Sequence, residues 1–242
     1  MLISEDHGDV TVVRIEHGPV NALDLDLLEA LTATVTGSDR ALVLTGTGSA
    51  FSAGVDLRRV IDGGREYTEA FLAALSRMFR AVFEHPRPTV AAINGHAIAG
   101  GGVLALACDV RLMAGGRIGL SELAVGVPFP VAALEIVRHA LGPGADRAVL
   151  LAETVGRDRA LELGWVDEVT DDLLPRATSL AAELAARAPE PYRMAKERLH
   201  RPAVQVMDEG AEHDADVRAT WTSADARGRI EAMLRELAAR RR

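Results

Sequence analysis

Between residues 9 and 130 the apolar positions switch repeatedly between continuous runs and helical spacing. Val10 to Ile15 reads as a strand, closed by the turn residues Gly18 and Pro19. Leu23 to Val35 then sets Leu23, Leu27, Leu28 and Leu31 at helical spacing, and Ala41 to Leu44 forms a second strand that enters a loop holding Gly46, Gly48 and Gly54. A longer helix follows, with Phe71, Leu72, Leu75, Met78, Phe79, Val82 and Phe83 on one face until Pro86 and Pro88 stop it. Thr89 to Ile93 is a strand leading into a glycine-rich loop, Asn94 to Gly102, and an apolar helix, Val103 to Cys108. Val110 to Met113 and Arg117 to Leu120 read as two more short strands. Strand, glycine-bearing turn and helix recur in that order, which predicts a mainly parallel α/β sheet system. From Val131 onward the pattern is helical, with stops at Gly142 and Gly164. The last helix carries Ile230, Met233, Leu234 and Leu237 along one face of a basic segment, a stripe that docks either on its own domain or on another subunit.

Composition narrows the function. The chain has 242 residues, enough for one large domain or two small ones with a real core. Lys and Arg number 27 against 35 Asp and Glu, a net charge of −8 that argues against bulk nucleic-acid binding. A lone cysteine, Cys108, excludes a disulfide framework and any multi-cysteine metal site. Apolar runs such as Val103 to Cys108 fall far short of the roughly 20 residues of a membrane span. The opening MLISEDHGDV has neither a basic region nor an apolar one, so the expected location is the cytoplasm. The single lysine, Lys196, leaves Schiff-base chemistry one candidate.

The chemistry sits in the glycine loops. The first runs from Thr45 to Leu57 after a buried strand, and three chemistries use such a loop. A dinucleotide fingerprint fits poorly, because Phe51 stands where the third glycine belongs. A serine nucleophile elbow around Ser52 lacks its first glycine. The third option is a backbone amide exposed to hold a developing oxyanion. Ala99-Gly100-Gly101-Gly102, just ahead of a helix, strengthens that option, since helix N-termini leave N–H groups free and glycine removes side chains that would shield them. A third element carries Glu122 among Leu120, Leu123, Val125 and Val127, a setting that desolvates the carboxyl, raises its pKa and suits proton transfer.

Taken together these segments resemble the crotonase superfamily, the enoyl-CoA hydratase/isomerase family. Pro19-Val20-Asn21-Ala22-Leu23 is similar to its N-terminal motif, Ala50 to Leu57 to its first oxyanion-hole motif and Ile93 to Gly102 to its second. Ala160 to Asp167 and Ala195-Lys196 also fit, in the family's order along nearly the whole chain. The resemblance implies a spiral core of β-β-α units over residues 1–170, with the CoA site. It also implies a C-terminal helical region over 171–242 that lids the pocket and builds homotrimers, often paired into hexamers. It implies an acyl-CoA substrate, no membrane or nucleic-acid partner, no metal, and no cofactor beyond the CoA of the thioester. The N–H groups of Val55 and Gly100 would grip the thioester oxygen. Asn21, Ala22, Leu23, Ala53, Gly54, Asp56, Leu57, Arg58 and Gly101 would meet CoA.

One departure selects among reactions. Family hydratases carry two glutamates; here the first position is Val103 and the second Glu122. Hydration must position a water and manage a proton at the α-carbon, a task two carboxylates share, whereas shifting a double bond from the 3,4 to the 2,3 position needs one base. The resemblance is closest to the single-glutamate isomerases. Competing readings are a hydratase in which Glu135 reaches the water, a decarboxylase, a thioester hydrolase, and an acyl-CoA binder without turnover. Cys108 reads as a core residue within its helix. His96 lies near the proposed pocket, Phe83, Phe129 and Trp221 are candidate walls of an acyl channel, and Arg58 and Arg59 candidate phosphate contacts.

Overall fold

The unbroken apolar runs are strands buried on both faces, and the glycine turns carry the chain from one sheet to another. A computed structural model describes residues 1–239. Residues 240–242, the end of the expected C-terminal region, and the side chains of residues 211–213 and of Leu237, the last position of the terminal stripe, lie outside the described residues. The chain begins with β1 (Leu2–His7), β2 (Val10–Ile15), α1 (Leu25–Thr36), β3 (Ala41–Gly46), β4 (Ala50–Ser52) and α2 (Leu57–Phe83). It continues through β5 (Thr89–Ile93), β6 (His96–Ile98), α3 (Gly100–Leu106), β7 (Val110–Met113), β8 (Arg117–Gly119), α4 (Glu122–Val125) and α5 (Val131–Leu141). After a 3-10 turn come α6 (Ala145–Leu150), β9 (Thr154–Gly156), α7 (Arg157–Glu162), β10 (Glu168–Val169), α8 (Leu173–Ala185), α9 (Pro189–Glu209), α10 (Ala211–Trp221) and α11 (Ala224–Ala239).

A six-stranded sheet runs β1-β2-β3-β5-β7-β10 and a four-stranded sheet β4-β6-β8-β9. Each of β3, β5 and β7 in the first sheet is followed by β4, β6 or β8 in the second and then by a helix, so the repeat is a β-β-α unit. All pairings are parallel except β1 with β2 and β8 with β9. Alternation along the strands splits the core in two. Val13, Ile15, Leu42, Leu44, Ala91 and Ile93 face α1, α2 and α3, while Val10, Val12, Ala41, Val43, Val90 and Ala92 face Leu173, Ala177, Ala181 and Ala185 of α8. The first helix of the 171–242 region therefore forms the outer layer of the sheet.

Several elements differ from the sequence reading, each for a local reason. β1 is an exposed, charged edge strand without an apolar alternation, so only its pairing with β2 reveals it. α1 begins two residues later than expected, because the Asp24 side chain caps it through the Leu27 N–H. Leu23 is thereby freed for a bridge to Val55. The three glycines are the first turn of α3, and Cys108 lies past its end at Leu106. Within the part read as all helical, β9 and β10 are short strands pairing with β8 and β7. Ile230 is fully buried in the chain's own core, with Met233 and Leu234 packed against it, so the terminal stripe docks at home. Among the described residues no helix is long and apolar enough to cross a membrane.

Candidate active site

Asn21 organises the first loop. It is fully buried with φ of 52°, and its Nδ2 donates to the carbonyls of Thr47 at 3.2 Å and Ala50 at 2.8 Å. The Ser52 hydroxyl donates to Asn21 O at 2.7 Å and accepts from Gly54 N at 3.2 Å. Ser52 is wholly buried, which removes it as an exposed nucleophile and makes it a brace for the next turn. Leu23 N donates to Gly54 O and Asp56 N to Leu23 O, both at 2.8 Å. That bridge holds residue 55 from both sides while its own N–H takes part in none of these bonds.

The second loop packs directly on the first. Gly54 has φ of 82°, and a Cβ there would stand 2.6 Å from Ile98 O and 3.2 Å from Gly100 N. A Cβ on Gly101 would collide with the Ser52 carbonyl, and one on Gly100 would lie 3.1 Å from Leu23 Cδ1 and 3.8 Å from Val55 Cγ2. Glycine is required at 54 and 101 by close approach of backbones. Ala99, between β6 and α3, adopts φ 50° and ψ −122°, a strained conformation for a residue with a Cβ. Its N–H donates to Gly119 O at 2.7 Å and its carbonyl accepts from Val103 N, so the peptide carrying the Gly100 N–H is fixed from both sides. Among the hydrogen bonds of the described residues, neither Val55 N–H nor Gly100 N–H has an acceptor. The sequence held no sign of the Ala99 conformation, because a positive φ outside glycine leaves no compositional mark.

Glu122 opens α4, is 8% exposed, and its buried Oε2 has no hydrogen-bond partner. Desolvation pushes its pKa up to about 8, with its own backbone N–H pulling weakly the other way. Leu120, Val125 and Val127 are buried as expected, but Leu123 is exposed and contributes nothing to that desolvation. Gly102 links the carboxyl's strand to the oxyanion loop, since a Cβ there would stand 2.8 Å from Gly119 O. Val103 is fully buried.

The remaining site residues separate into scaffold and surface. Asn21, Leu23, Gly54 and Gly101 are buried and hold the loops together, the Asn21 side chain being spent on the carbonyls of Thr47 and Ala50. Ala22, Ala53, Asp56 and Leu57 are partly open and Arg58 exposed; Asp56 caps α2 through the N–H groups of Arg58 and Arg59. Arg59 is engaged by Asp24 and Asp26 at 3.3 Å each, so of the arginine pair only Arg58 is free of an ion pair among the described residues. Glu135 is buried and bound by Arg138 at 3.0 Å. Phe83 stacks on His200 at a centroid distance of 3.9 Å, beyond the far end of α3, and is no wall of this site. Trp221 donates to Pro128 O at 2.9 Å, tying α10 to the segment that follows α4, and Phe129 beside it is buried. His96 is exposed on β6.

Comparison with known proteins agrees with this arrangement. The family model for enoyl-CoA hydratase/isomerase matches residues 5–236. A putative enoyl-CoA hydratase of Thermus thermophilus is 37% identical over 210 residues, 82% of this chain and 83% of that protein. The human mitochondrial enoyl-CoA delta isomerase 1 is 30% identical over 193 residues, 75% of this chain and 64% of that one. The crystal structure of human mitochondrial delta3-delta2-enoyl-CoA isomerase superposes with a TM-score of 0.93 at 24% identity, covering 99% of this chain and 98% of that chain, a likeness of fold.

Proposed function

Because this chain belongs to the enoyl-CoA hydratase/isomerase family, we propose that it shifts the double bond of a 3-enoyl-CoA to the 2-position with Glu122 as the only proton shuttle. The observation that carries this reading is a buried carboxyl with one oxygen unpartnered among the described residues, and a fully buried valine at the position where a hydratase would keep its first glutamate. Glu122 takes the α-proton, and the C–H electrons move into the thioester carbonyl. The resulting dienolate oxygen is held by the N–H groups of Val55 and Gly100. As the carbonyl re-forms, the diene electrons take the proton from Glu122 at the γ-carbon, leaving the 2,3 double bond. A carboxyl titrating at about 8 is a stronger base than an ordinary glutamate and still acidic enough to return the proton. The two amides supply the larger share of catalysis, since one such donor is worth about 2.7–4 kcal/mol.

Substrate binding follows from what is left open. Ala22, Ala53 and Leu57 offer small or apolar surface to the linker, and Arg58, exposed and without an ion pair among the described residues, is a cation for a CoA phosphate. The scheme draws on no cofactor beyond the CoA of the substrate. A C-terminal lid is supported by Arg229 of α11, which packs against Gly126 at the end of α4, where a Cβ would stand 2.6 Å from Arg229 Cδ. Assembly into trimers or paired trimers has apolar surface in Leu150 and Leu151, 70% and 59% exposed. A hydratase reading is supported by the hydratase names of several relatives, the Thermus protein among them, and the engagement of Glu135 by Arg138 opposes it. Assaying 3-hexenoyl-CoA against crotonyl-CoA separates the two. Isomerisation without appreciable hydration is expected; fast hydration of crotonyl-CoA, or binding of both with no product, overturns the proposal.

A further inference from the structure

A cavity of about 450 Å³ lies beyond the end of α3 opposite Gly100, between the last turn of that helix, the start of β7, the end of α5 and α9. It shares no residue with the site proposed for catalysis and stands independently of that chemistry. Inside it Asp109 is amply supplied with donors. Lys196 Nζ lies 2.9 and 3.0 Å from its two oxygens, the Tyr192 hydroxyl donates at 3.0 Å and Thr89 N at 2.9 Å. The donors are not equally supplied with acceptors. An ammonium carries three N–H bonds, and Asp109 accounts for two of them. Arg111 is 8% exposed, spends Nη1 on Cys108 O and Nη2 on Asp167, and keeps a buried Nε–H without an acceptor. Arg187 lines the opening with no ion pair among the described residues.

The walls are apolar and aromatic. Phe83, His139 and His200 form one cluster, with centroid distances of 3.9 to 5.1 Å. Burial holds both imidazoles below their ordinary pKa, His200 down to about 4, so they present neutral rings. Leu199 lines the cavity while 69% exposed, a large apolar side chain left open beside unpaired donors. Three cationic side chains, Arg111, Arg187 and Lys196, against the one lining carboxylate of Asp109 disfavour a cationic ligand, and the hydrocarbon wall disfavours a purely polar one. The volume falls in the roughly 300–1,000 Å³ range of small-molecule sites.

We propose that this cavity binds a small carboxylate with an apolar body, its head between Arg111 and Arg187 and its body over Leu199 and the His139 ring. Titration calorimetry of the intact protein with hexanoate and benzoate, with acetate as a head-only control, tests it. Saturable one-to-one binding of hexanoate or benzoate but not acetate is expected, with shifts in the ring-proton resonances of His139 and His200. Arg187→Glu and Leu199→Asp, both at exposed positions, should each weaken binding about tenfold or more, a change of about 1.4 kcal/mol. Absence of saturable binding, binding that both variants leave intact, or shifts confined to other histidines overturns the assignment. So does self-association abolished by Leu199→Asp with no probe bound, which gives the face to a second copy of the chain.

Discussion

The two ends of α3 face opposite demands. At its start, among the described residues, the N–H groups of Gly100 and neighbouring Val55 have no acceptor, and Glu122 keeps an oxygen without a donor. Just past its end, the carboxylate of Asp109 is met by Lys196, Tyr192 and the Thr89 backbone. Burial makes unpaired polar groups costly, so the first end lowers stability, while at the second the pairing of Asp109 offsets that cost and Arg111 Nε is left without an acceptor among the described residues. The contrast locates chemistry by what the fold leaves unsatisfied. It also says how each end should fail when altered: the first in turnover, the second in stability.

The largest expected effect is at the first end. Glu122→Gln keeps the shape and the buried surroundings but removes the base, so kcat for 3-enoyl-CoA isomerisation should fall by about 10²–10⁴-fold with KM changed little. Steady-state kinetics on the purified variant reads both numbers. Unchanged kcat would remove Glu122 from the reaction and dissolve the contrast, because the unpaired carboxyl would then be a mere defect.

At the second end the loss should appear in folding. Lys196→Met leaves Asp109 with neutral donors only, and breaking a buried pair in this way typically costs about 3–5 kcal/mol. Urea unfolding should show a lower midpoint at unchanged slope, and the added substitution Asp109→Leu should restore part of the loss. Turnover by the folded fraction should stay within a few-fold of the unaltered enzyme. A turnover loss as deep as that of Glu122→Gln would mean that the two ends are not separable.

Much of this was legible in the sequence because burial writes itself into apolar runs. Val110–Met113 and Thr89–Ile93 are strands at the positions read, and the glycines at 54, 101 and 102 lie where backbones approach closely. The burial of Glu122 is legible from its apolar neighbours, although Leu123 is exposed. What stayed hidden depends on pairing across the chain. β1 exists only through β2, the bridge from Leu23 to Val55 joins residues of two loops, and Phe83 sits on an apolar face that serves the His139 and His200 cluster. Nor does any local pattern announce Ala99, whose backbone is imposed by Gly119 on one side and α3 on the other.

The smallest expected effect, taken per pH unit, tests the cost of the first end directly. Glu122 titrates near 8 in the folded protein and near an ordinary carboxylate value when unfolded, so between those values the folded state binds one proton more. Stability from this group is therefore complete below about pH 4.5 and is lost as pH rises toward 8, at up to about 1.4 kcal/mol per pH unit. Above that range both states are ionised and the loss levels off. Glu122→Gln has no such proton to release. Urea midpoints measured at pH 5, 6, 7 and 8 should show the variant gaining on the unaltered protein by up to this slope, while kcat/KM of the latter climbs over the same range as its base ionises. Parallel stability curves would mean that Glu122 ionises without penalty, and the buried end of α4 would then carry no stored cost for catalysis to draw on.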